Sequence, residues 1–564
     1  MEKLTGNSDL GLLDMKKYQL PESGNKRLNI PTIRSPIPCN TGSVNFDIYD
    51  YEMLFEDEGT KEIIREGKTI GCFYIESPGM RSLLRRLSCD TFEMLTAASS
   101  VIRPGVAESG MMQEFIARHK NPSRRKYLVP EMEKHLGETY GVMIYQEDVI
   151  KVAHHIAGLT LEEADLLRRA MSGKMRSHEA MQRISNKFFS SCLAKGYSKA
   201  TTVELWRQVE SFAGYAFCKA HSASFALLSY QVAYLKVHYP AEFMASVLSN
   251  RGGYYSAAVY IQECKRMGLK VLLPCVNCSE YEYESKDEEV RIGLMSVKNL
   301  SKNSIKKIVK ERSKDGKYIS LADFLVRTQL GYEETALLIK CGTMDCFGKT
   351  RPTLMRLLDV YIKRRRIYDQ GCDDFFSSET FQLEREVETE VQYSIEEVCS
   401  IEYETFGYMV TRHPLDFFDR IVSRPDIVKV ADMHRYDGKT IKMVGWYMTS
   451  KRIKTRKGEI MKFLSLEDLT GTFEAVIFPR AYTQYAEKTI SMGPYLLKGR
   501  VDMENGNNLV VEKLAVLSAK EVESVTQKDS SENNWFGDVE KVFEEEFHLV
   551  NSLDNEKMRR AYVG

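Results

Sequence analysis

The 564-residue sequence predicts a multidomain protein that is mainly α-helical and that ends in a small β-barrel. Three observations favour this fold class. The chain is too long for one ordinary hydrophobic core. Apolar residues recur with helical spacing from about 50 to 350, and the spacing changes to the two-residue period of strands at 440–518. Its 43% hydrophobic and 28% charged residues are typical of globular proteins rather than of disordered or fibrous ones.

Composition divides the chain into six segments. They are an irregular lead-in at 1–49, a helical region at 50–285, paired helix–turn–helix units at 286–350, a linker at 351–435, the barrel at 436–520 and an acidic tail at 521–564. Within the linker, residues 365–400 are acidic and are predicted to be irregular. The 79 basic and 79 acidic residues cancel, so a polyanion would have to meet a local patch. One such patch, 298–317, has eight basic and two acidic residues.

Several classes of protein are disfavoured by the composition. Twelve cysteines are too few for a disulfide scaffold, and the N-terminus lacks the apolar run of a signal peptide. No stretch approaches the roughly 18 apolar residues of a membrane span. We therefore expect a reduced, cytoplasmic protein without a membrane partner. Cys275 and Cys278 lack a second ligand pair at zinc spacing, so no metal site is predicted from the residues alone.

Helix boundaries are marked most clearly in the helical region. Thr160 and Glu163 have capping-box spacing and predict a helix that begins at 160 and stops near Gly173. A second helix is predicted from 223 to 238, and Pro240 suits the first turn of the next one. Beyond it, a lysine-rich helix is predicted at 302–312.

The barrel is predicted from alternating apolar and polar residues. The strands are drawn at 441–450, 459–467, 472–479, 494–503 and 508–517. A helix-like segment at 481–490 separates the third strand from the fourth. Five strands with a helix in this position are typical of a Greek-key barrel of the OB type.

The first candidate binding site is a basic helix end formed by Arg168, Arg169 and Lys174. Two guanidiniums and an ammonium suit charge-assisted capture of a triphosphate. The alternative is a solvated helix end, because cations favour helix C-termini and Asp165 stands four residues before Arg169.

The second candidate is the segment 212–222, where aromatic and basic residues alternate around Gly214. Such a segment could stack on bases and contact phosphate through Lys219 and His221. The alternative is a loop whose aromatic residues belong to the core and whose histidine is a satisfied polar residue.

Two further basic segments are candidate DNA contacts. Arg103 and Arg118 begin and continue a basic stretch that could track phosphates, although a solvated loop is the alternative. The first long loop of the barrel carries Lys451, Arg452, Lys454, Arg456 and Lys457. OB barrels bind single strands on the face that this loop borders. Trp446 and Phe463 could add stacking, but alternation does not decide whether they face the groove or the core.

Seven motifs, taken in their order along the chain, resemble one family. They are GCFYIESPGM at 71–80, IRPG at 102–105, YGVMIYQE at 140–147, LRRAM at 167–171, FAGY at 212–215, KAHS at 219–222 and HYPAEFM at 238–244. Together with TRHPL at 411–415, they resemble the bacterial replicative polymerases of family C, the DNA polymerase III alpha subunits. The resemblance covers about residues 50–518. The sequences of residues 72–78 and 97–105 resemble those of the accessory, error-prone branch of alpha-like polymerases.

The resemblance implies a fingers domain, tandem helix-hairpin-helix units, a linker and an OB domain, with a palm remnant ahead of them. It implies DNA-directed nucleotidyl transfer, with primer–template DNA and deoxynucleoside triphosphates as partners. The residues that would bind nucleotide are Arg168, Arg169, Lys174, Lys219 and His221. Lysines of the first hairpin would bind DNA, and they are Lys298, Lys302 and Lys306.

The resemblance also implies Mg²⁺ held by palm aspartates, most of which this sequence lacks. Only Asp14 stands in a segment that could match, so it is the one catalytic candidate. Activity would then require a separate palm and metal-domain chain. A sliding clamp is a further candidate partner, although the segment 370–376 is only faintly similar to a clamp peptide. The alternative reading is a non-catalytic DNA-binding or regulatory protein that has lost the palm.

Overall fold

The computed structural model describes residues 47–102, 110–171, 178–210, 218–368, 389–455 and 457–517. The described residues from Asp50 onward form one compact unit. In the described ranges, no helix is both long enough and apolar enough to cross a membrane. The predicted fold class is confirmed, because a mainly helical region is followed by a closed five-stranded barrel.

Helices dominate the region before residue 270. In chain order they are α1 (Tyr51–Glu56), α2 (Glu58–Arg65), α3 (Pro78–Leu87), α4 (Phe92–Val101), α5 (Met111–Lys120), α6 (Pro130–Leu136), α7 (Gln146–Lys151), α8 (Leu161–Met171), α9 (His178–Ala194), α10 (Lys199–Glu210), α11 (Lys219–His238), α12 (Pro240–Asn250) and α13 (Ala257–Arg266). Two apolar clusters hold them together. The larger one surrounds α11, and a smaller one joins α6 to α10.

The helix boundaries predicted from capping residues are confirmed where the structure describes them. Thr160 Oγ1 accepts from the Glu163 N–H, and the Glu163 carboxylate accepts from the Thr160 N–H, so the capping box forms in both directions. Pro240 occupies the first turn of α12. The predicted stop at Gly173 lies outside the described residues. The helix predicted from 223 begins earlier, at Lys219, because a carboxylate from another element caps it.

The next region combines a small sheet with four helices. Strands β1 (Lys270–Leu272), β2 (Glu284–Lys286) and β3 (Glu289–Arg291) form a three-stranded sheet that the periodicity analysis did not detect, because each strand has only three residues. The helices that follow are α14 (Lys302–Asp315), α15 (Leu321–Thr328), α16 (Tyr332–Lys340) and α17 (Arg351–Tyr368).

The prediction that residues 365–400 are irregular is wrong at both ends of that segment. Its first residues belong to α17, and α18 (Ile395–Phe406) follows the part outside the described residues. Ser394 and Glu397 form a reciprocal capping box that begins α18. The acidic composition concealed this helix start, although the Ser-x-x-Glu spacing was readable. A short helix, α19 (Asp419–Val422), precedes the barrel.

The barrel closes in the strand order β4–β5–β6–β8–β7. Its strands are β4 (Thr440–Lys454), β5 (Ile460–Glu467), β6 (Thr472–Ile477), β7 (Tyr495–Asp502) and β8 (Asn508–Val516), and α20 (Pro479–Tyr485) lies between β6 and β7. All five strands match the predicted ones apart from their ends. Val430 and Met433 also belong to the barrel core, although they precede the predicted boundary at 436.

A chain of buried charges connects the helical region to the barrel. Lys236 of α11 donates to Glu263 of α13 at 2.6 Å, and Arg266 contacts the other oxygen of that carboxylate at 3.1 Å. Arg266 also contacts Glu467 of β5 at 2.7 Å. Each carboxylate is therefore paired, which is the condition under which buried charges are tolerated. This network joins the barrel to α11 and α13.

Candidate nucleotide and nucleic-acid interface

The turn before α7 organises the first candidate site. Asp148 is buried, and its Oδ2 accepts from the backbone N–H groups of Ile144 and Tyr145 at 3.0 Å each. Burial raises the pKa of Asp148 to about 6, although these hydrogen bonds and nearby Lys151 oppose the rise. The two bonds fix the direction in which the next two residues leave the turn.

Those next residues, Gln146 and Glu147, connect two distant elements. The Gln146 side-chain oxygen accepts from Arg168 of α8 at 2.9 Å. The Glu147 carboxylate accepts from the Lys219 backbone N–H at 3.0 Å and from the Cys218 thiol at 3.2 Å. A carboxylate at this place stabilises the start of α11, because helix N-termini carry unsatisfied N–H groups. One dipeptide thus brings together the two basic segments that the sequence singled out separately.

Arg168 and Arg169 share the carboxylate of Asp165. Arg168 Nε donates to Oδ1 at 2.9 Å, and Arg169 Nε contacts Oδ2 at 2.7 Å. The hydrogen bond from Arg168 lowers the pKa of Asp165. The surface ion pair that was the alternative interpretation is therefore present. Arg168 is 22% exposed and Arg169 is 61% exposed, so both guanidiniums reach solvent beside the Gln146 turn.

Lys219 and His221 lie on the first turn of α11. The Lys219 ammonium contacts both oxygens of Glu138, at 2.6 and 2.8 Å, and lies 5.5 Å from the centre of the Tyr145 ring. His221 is exposed, and the alternative in which it is a satisfied polar residue stays open. Its ring stands edge-on to Phe225 at 4.2 Å.

An aromatic cluster beside His221 was missed by the sequence analysis. It consists of Phe73, Tyr74, His221 and Phe225, with ring centres of Phe73 and Tyr74 at 5.6 and 5.0 Å from Phe225. Phe73 is nearly half exposed. The i, i+4 spacing of His221 and Phe225 was the available signal, since such residues share a helix face. Exposed rings next to basic side chains suit base stacking.

Several predicted site residues lie outside the described residues. They are Asp14, Arg103, Lys174 and Arg456. Arg118 is described, and its guanidinium donates to Glu114 at 2.8 Å and to the Tyr140 carbonyl at 2.8 Å. These contacts give Arg118 a structural role, because they hold the start of the turn that carries Gln146. Contact of this side chain with DNA stays a prediction.

The first hairpin of the 286–350 region forms the second candidate site. Asn299 adopts a φ of 65°, a conformation that favours glycine and that asparagine tolerates better than most residues. The hairpin thus keeps the left-handed turn although its sequence has no glycine there. Lys298, Lys302 and Lys306 are all exposed. The Lys298 N–H donates to the Thr405 carbonyl of α18 at 3.0 Å.

A carboxylate already occupies the N-terminus of α14 behind this hairpin. Glu334 of α16 accepts from the Ser301 N–H at 3.1 Å and from the Ser304 hydroxyl at 2.7 Å. A groove of about 550 Å³ opens beside it, between the hairpin, α16 and α18. A negative charge is stabilised at this helix end, but it also opposes the approach of a phosphate. The exposed lysines are therefore better placed for DNA contact than the hairpin backbone.

The basic segment of the barrel is a strand rather than a loop, which corrects the prediction. Lys451, Arg452 and Lys454 lie on β4, which pairs with β5 as far as the Lys454–Ile460 pair. The turn that follows β4 is short and includes Gly458, whose φ is 81°. The segment is a strand because Lys451, Arg452 and Lys454 each lie opposite a residue of β5 in the sheet. Lys451, Arg452, Lys454 and Lys457 are exposed.

The strand geometry separates these charges onto two faces. Arg452 and Lys454 share a face with Lys462, whose ammonium donates to the Thr489 carbonyl at 2.6 Å. Burial, and secondly the charge of Arg452, lower the pKa of Lys462. Arg452 and Lys462 line a cleft of about 1200 Å³ between the barrel and α13, α18 and α20. Trp446 also lines this cleft and is not part of the barrel core. The alternation of apolar and polar residues had left this placement open.

No metal centre is evident in the part of the chain that the structure describes. Within those ranges, no group of three or more histidine, cysteine, aspartate or glutamate side chains is placed to hold an ion. The Mg²⁺ implied by the resemblance therefore has no ligand set among the described side chains.

Comparison with known proteins adds two matches to protein families. Residues 40–196 match the bacterial DNA polymerase III alpha subunit finger domain, and residues 268–354 match a helix-hairpin-helix motif. The first match contains the Gln146 turn and both arginines of α8. The second contains the Asn299 hairpin and α14 to α16.

Curated relatives match over a longer part of the chain. The DNA polymerase III subunit alpha of Saccharopolyspora erythraea is 32% identical over 475 residues, which is 80% of this chain and 40% of that protein. The Bacillus subtilis protein of the same name is 32% identical, over 84% of this chain and 42% of its own length. That of Staphylococcus aureus strain Mu50 is 31% identical, over 85% and 44%. The chain spans less than half the length of the curated relatives it matches.

Proposed function

The chain belongs to the bacterial DNA polymerase III alpha subunits, and on that premise we propose that it binds the incoming deoxynucleoside triphosphate and the primer–template during DNA synthesis. The observation that carries this proposal is the Gln146–Glu147 turn, which places Arg168 and Lys219 on the two sides of one dipeptide. We propose that the two basic segments act together as one phosphate-binding site. Its position in the accessory, error-prone branch stays a prediction.

In the proposed complex, Arg168 and Arg169 contact the triphosphate. Guanidinium donors suit phosphate oxygens, and Asp165 holds both side chains in place before the ligand arrives. Lys219 would exchange Glu138 for phosphate, because a lysine ammonium pairs with either anion. The exposed ring of His221 and the partly buried ring of Phe225 beside it would contact the base. Each of these residues binds or orients the nucleotide, and none takes a proton from the primer.

The chemical step needs groups that the described residues do not supply. Two-metal nucleotidyl transfer uses carboxylates that hold ions about 3.5–4 Å apart, and no such set is described here. We therefore propose that the Mg²⁺ ligands come from residues outside the described ranges. Asp14 is the candidate within this chain, and a separate palm and metal-domain chain is the other source. The family resemblance alone proposes a sliding clamp as a further partner.

The test is a nucleotide titration of the full chain bound to primer–template DNA. We expect a fluorescent deoxynucleoside triphosphate to bind and to be displaced by the unlabelled nucleotide that pairs with the template base. The rival function is that of a non-catalytic DNA-binding or regulatory protein. DNA binding without any nucleotide binding would support the rival.

The carboxylate of Glu334, which lies behind the hairpin lysines, provides a prediction about DNA affinity. Changing Glu334 to glutamine keeps an acceptor for Ser301 but removes the negative charge at the N-terminus of α14. Because a charge at a helix terminus is worth about 0.3–1 kcal/mol, duplex DNA should bind about two- to fivefold more tightly. Fluorescence anisotropy with a labelled duplex measures this change.

The matched control for that prediction is Glu333→Gln. Glu333 precedes Glu334 on α16 and lines the same groove, but it is exposed and has no described bond to the hairpin. It changes the net charge equally, so its effect should be smaller. Equal gains from both variants would mean that overall charge, rather than the carboxylate at α14, governs DNA binding.

The barrel provides a second prediction. Reversing Arg452 and Lys454 to glutamate should weaken binding of a single-stranded oligonucleotide at least about tenfold at 0.15 M salt, because each phosphate contact contributes about −0.7 to the salt slope. With three to five contacts, the native chain should show a slope of roughly −2 to −3.5, and the variant a shallower one. Anisotropy titrations at salt concentrations between about 50 and 200 mM measure both slopes, because affinity depends strongly on salt in this range.

The control reverses two other basic residues of the barrel. Lys498 and Lys513 face each other on β7 and β8, and Lys498 also pairs with Lys442 near the opposite end of β4. Reversing this pair changes the charge of the barrel equally but leaves the β4–β5 hairpin intact. If the control weakens binding as much, the hairpin is merely solvated and the barrel serves other contacts.

A further inference from the structure

Three cysteine thiols meet at a place that the proposed nucleotide and DNA sites do not use. Cys275 and Cys278 lie in the turn after β1, and Cys346 lies in the short 3₁₀ turn Asp345–Phe347 between α16 and α17. Cys275 is half-buried, whereas Cys278 and Cys346 are exposed. The sulfurs of Cys275 and Cys346 both contact Asn277.

Asn277 holds the two segments against each other. Its backbone N–H donates to Cys275 Sγ at 3.4 Å, and its side-chain amide donates to Cys346 Sγ at 3.5 Å. The same amide group exchanges two hydrogen bonds of 2.8 Å with the backbone of Tyr318. The Val276 N–H also donates to the Thr343 carbonyl at 2.9 Å. The bonds to Tyr318 and Thr343 do not involve the sulfurs, so the two segments stay together without any bond between thiols.

The surroundings of Cys275 favour its thiolate form. The hydrogen bond from Cys346 lowers the pKa of Cys275, and the Asn277 N–H, Cys278 and the charge of Arg291 act in the same direction against burial. Lys317 and Arg291 are the cations that face this cluster. By contrast, burial raises the pKa of Cys341, which lies shortly before Cys346 in the sequence, to about 11. Since the thiolate is the nucleophile, Cys275 should react far faster than the buried cysteines.

We propose that Cys275 and Cys346 form a reversible disulfide when the protein meets a peroxide. The Cys275 thiolate attacks one oxygen of hydrogen peroxide, the O–O bond breaks, and the departing hydroxide takes a proton to leave water and a sulfenic acid. The Cys346 sulfur then attacks that sulfur, the S–O bond breaks, and the hydroxyl leaves as water with the Cys346 proton. Two thiols and one peroxide thus yield one disulfide and two waters.

This bond would connect the turn after β1 to the 3₁₀ turn between α16 and α17. The loop it closes contains α14, α15 and α16, and therefore the hairpin lysines and Glu334. In a reducing compartment such a bond is transient and serves as a redox-sensitive modification rather than as a structural staple. The inference concerns the thiols themselves and does not depend on the proposed polymerase function.

The experiment treats the reduced full-length chain with hydrogen peroxide, blocks the remaining thiols with N-ethylmaleimide and maps tryptic peptides by mass spectrometry. We expect a cross-link between peptide 271–286 and peptide 341–349 that dithiothreitol reverses. Because each peptide has two cysteines, single serine variants identify the pair. Cys278→Ser and Cys341→Ser should keep the cross-link, whereas Cys275→Ser and Cys346→Ser should lose it.

A second measurement identifies the order of attack. In the Cys346→Ser variant the sulfenic acid has no partner in the proposed pair, so dimedone should label Cys275 after peroxide treatment. A bond between Cys275 and Cys278, or full alkylation of all three thiols after peroxide treatment of the native chain, would overturn the proposal. The native-chain measurement decides this even if a variant folds poorly.

Discussion

An Arg168→Ala change in the full chain is expected to weaken binding of the incoming nucleotide by about ten- to a hundredfold, while affinity for primer–template DNA stays nearly unchanged. Loss of a charge-assisted hydrogen bond costs roughly 1.5–3 kcal/mol, which corresponds to that range. Arg169→Ala should act similarly, because Asp165 orients both guanidiniums. The measurement is the nucleotide titration described above, made on the DNA-bound chain.

The matched control for these changes is Arg207→Ala. Arg207 of α10 pairs with Glu204 three residues earlier at 2.6 Å, in the same way that Arg168 pairs with Asp165. Its removal costs one surface ion pair and leaves the Gln146 turn intact. Thermal melts of the three variants check that each is folded. If Arg168→Ala and Arg207→Ala bind nucleotide equally well, the arginines of α8 serve only the ion pair with Asp165.

Changing Glu263 to glutamine is expected to reduce the free energy of unfolding by about 3–5 kcal/mol at pH 7, because it leaves Lys236 and Arg266 buried without their shared anion. The side chains of Lys236 and Glu263 are 4% and 10% exposed. The Lys236 ammonium also donates to the carbonyls of Lys68 and Ile70, at 2.9 and 2.8 Å, so it cannot turn outward without losing three bonds. Urea unfolding followed by circular dichroism measures the loss.

The same substitution should alter how stability depends on pH. Burial alone would raise the pKa of Glu263, but Lys236 and Arg266 outweigh it and lower that pKa to about 2, from an ordinary value of 4.5. A carboxylate with a lowered pKa stabilises the fold fully above its unfolded value and loses that contribution as pH falls towards the folded one. The native chain should therefore lose stability between about pH 5 and 2, and the variant should lose less over that window.

Glu204→Gln is the control for burial. The pKa of Glu204 is also lowered to about 2, chiefly by hydrogen bonds from Arg207, but this pair lies at the surface. Exposed ion pairs contribute about 0–1 kcal/mol, so the change in stability should be small. A loss as large as that from Glu263→Gln would show that burial is not the cause.

Features that depend on a few neighbouring residues were predictable from the sequence. The capping box at Thr160, the helix start at Pro240 and the five strands of the barrel all follow from local hydrogen bonding or from periodicity. The ion pair between Asp165 and Arg169 followed from helical spacing in the same way. The motifs in order also identified the family, because a motif is read without knowing what it contacts.

Only the tertiary structure decided the contacts between residues that are far apart in the chain. The bond from Arg168 to Gln146 spans 22 positions, and that from Lys219 to Glu147 spans 72. Lys451 to Lys454 became strand rather than loop because β5 supplied partners, and Glu334 reached the N-terminus of α14 through packing of α16. Local propensity describes a residue and its near neighbours, whereas these contacts depend on which surfaces the folded core brings together. The sequence by itself therefore determined the longer periodic elements, the fold class and the family, and the packing of the elements determined which charges lie together.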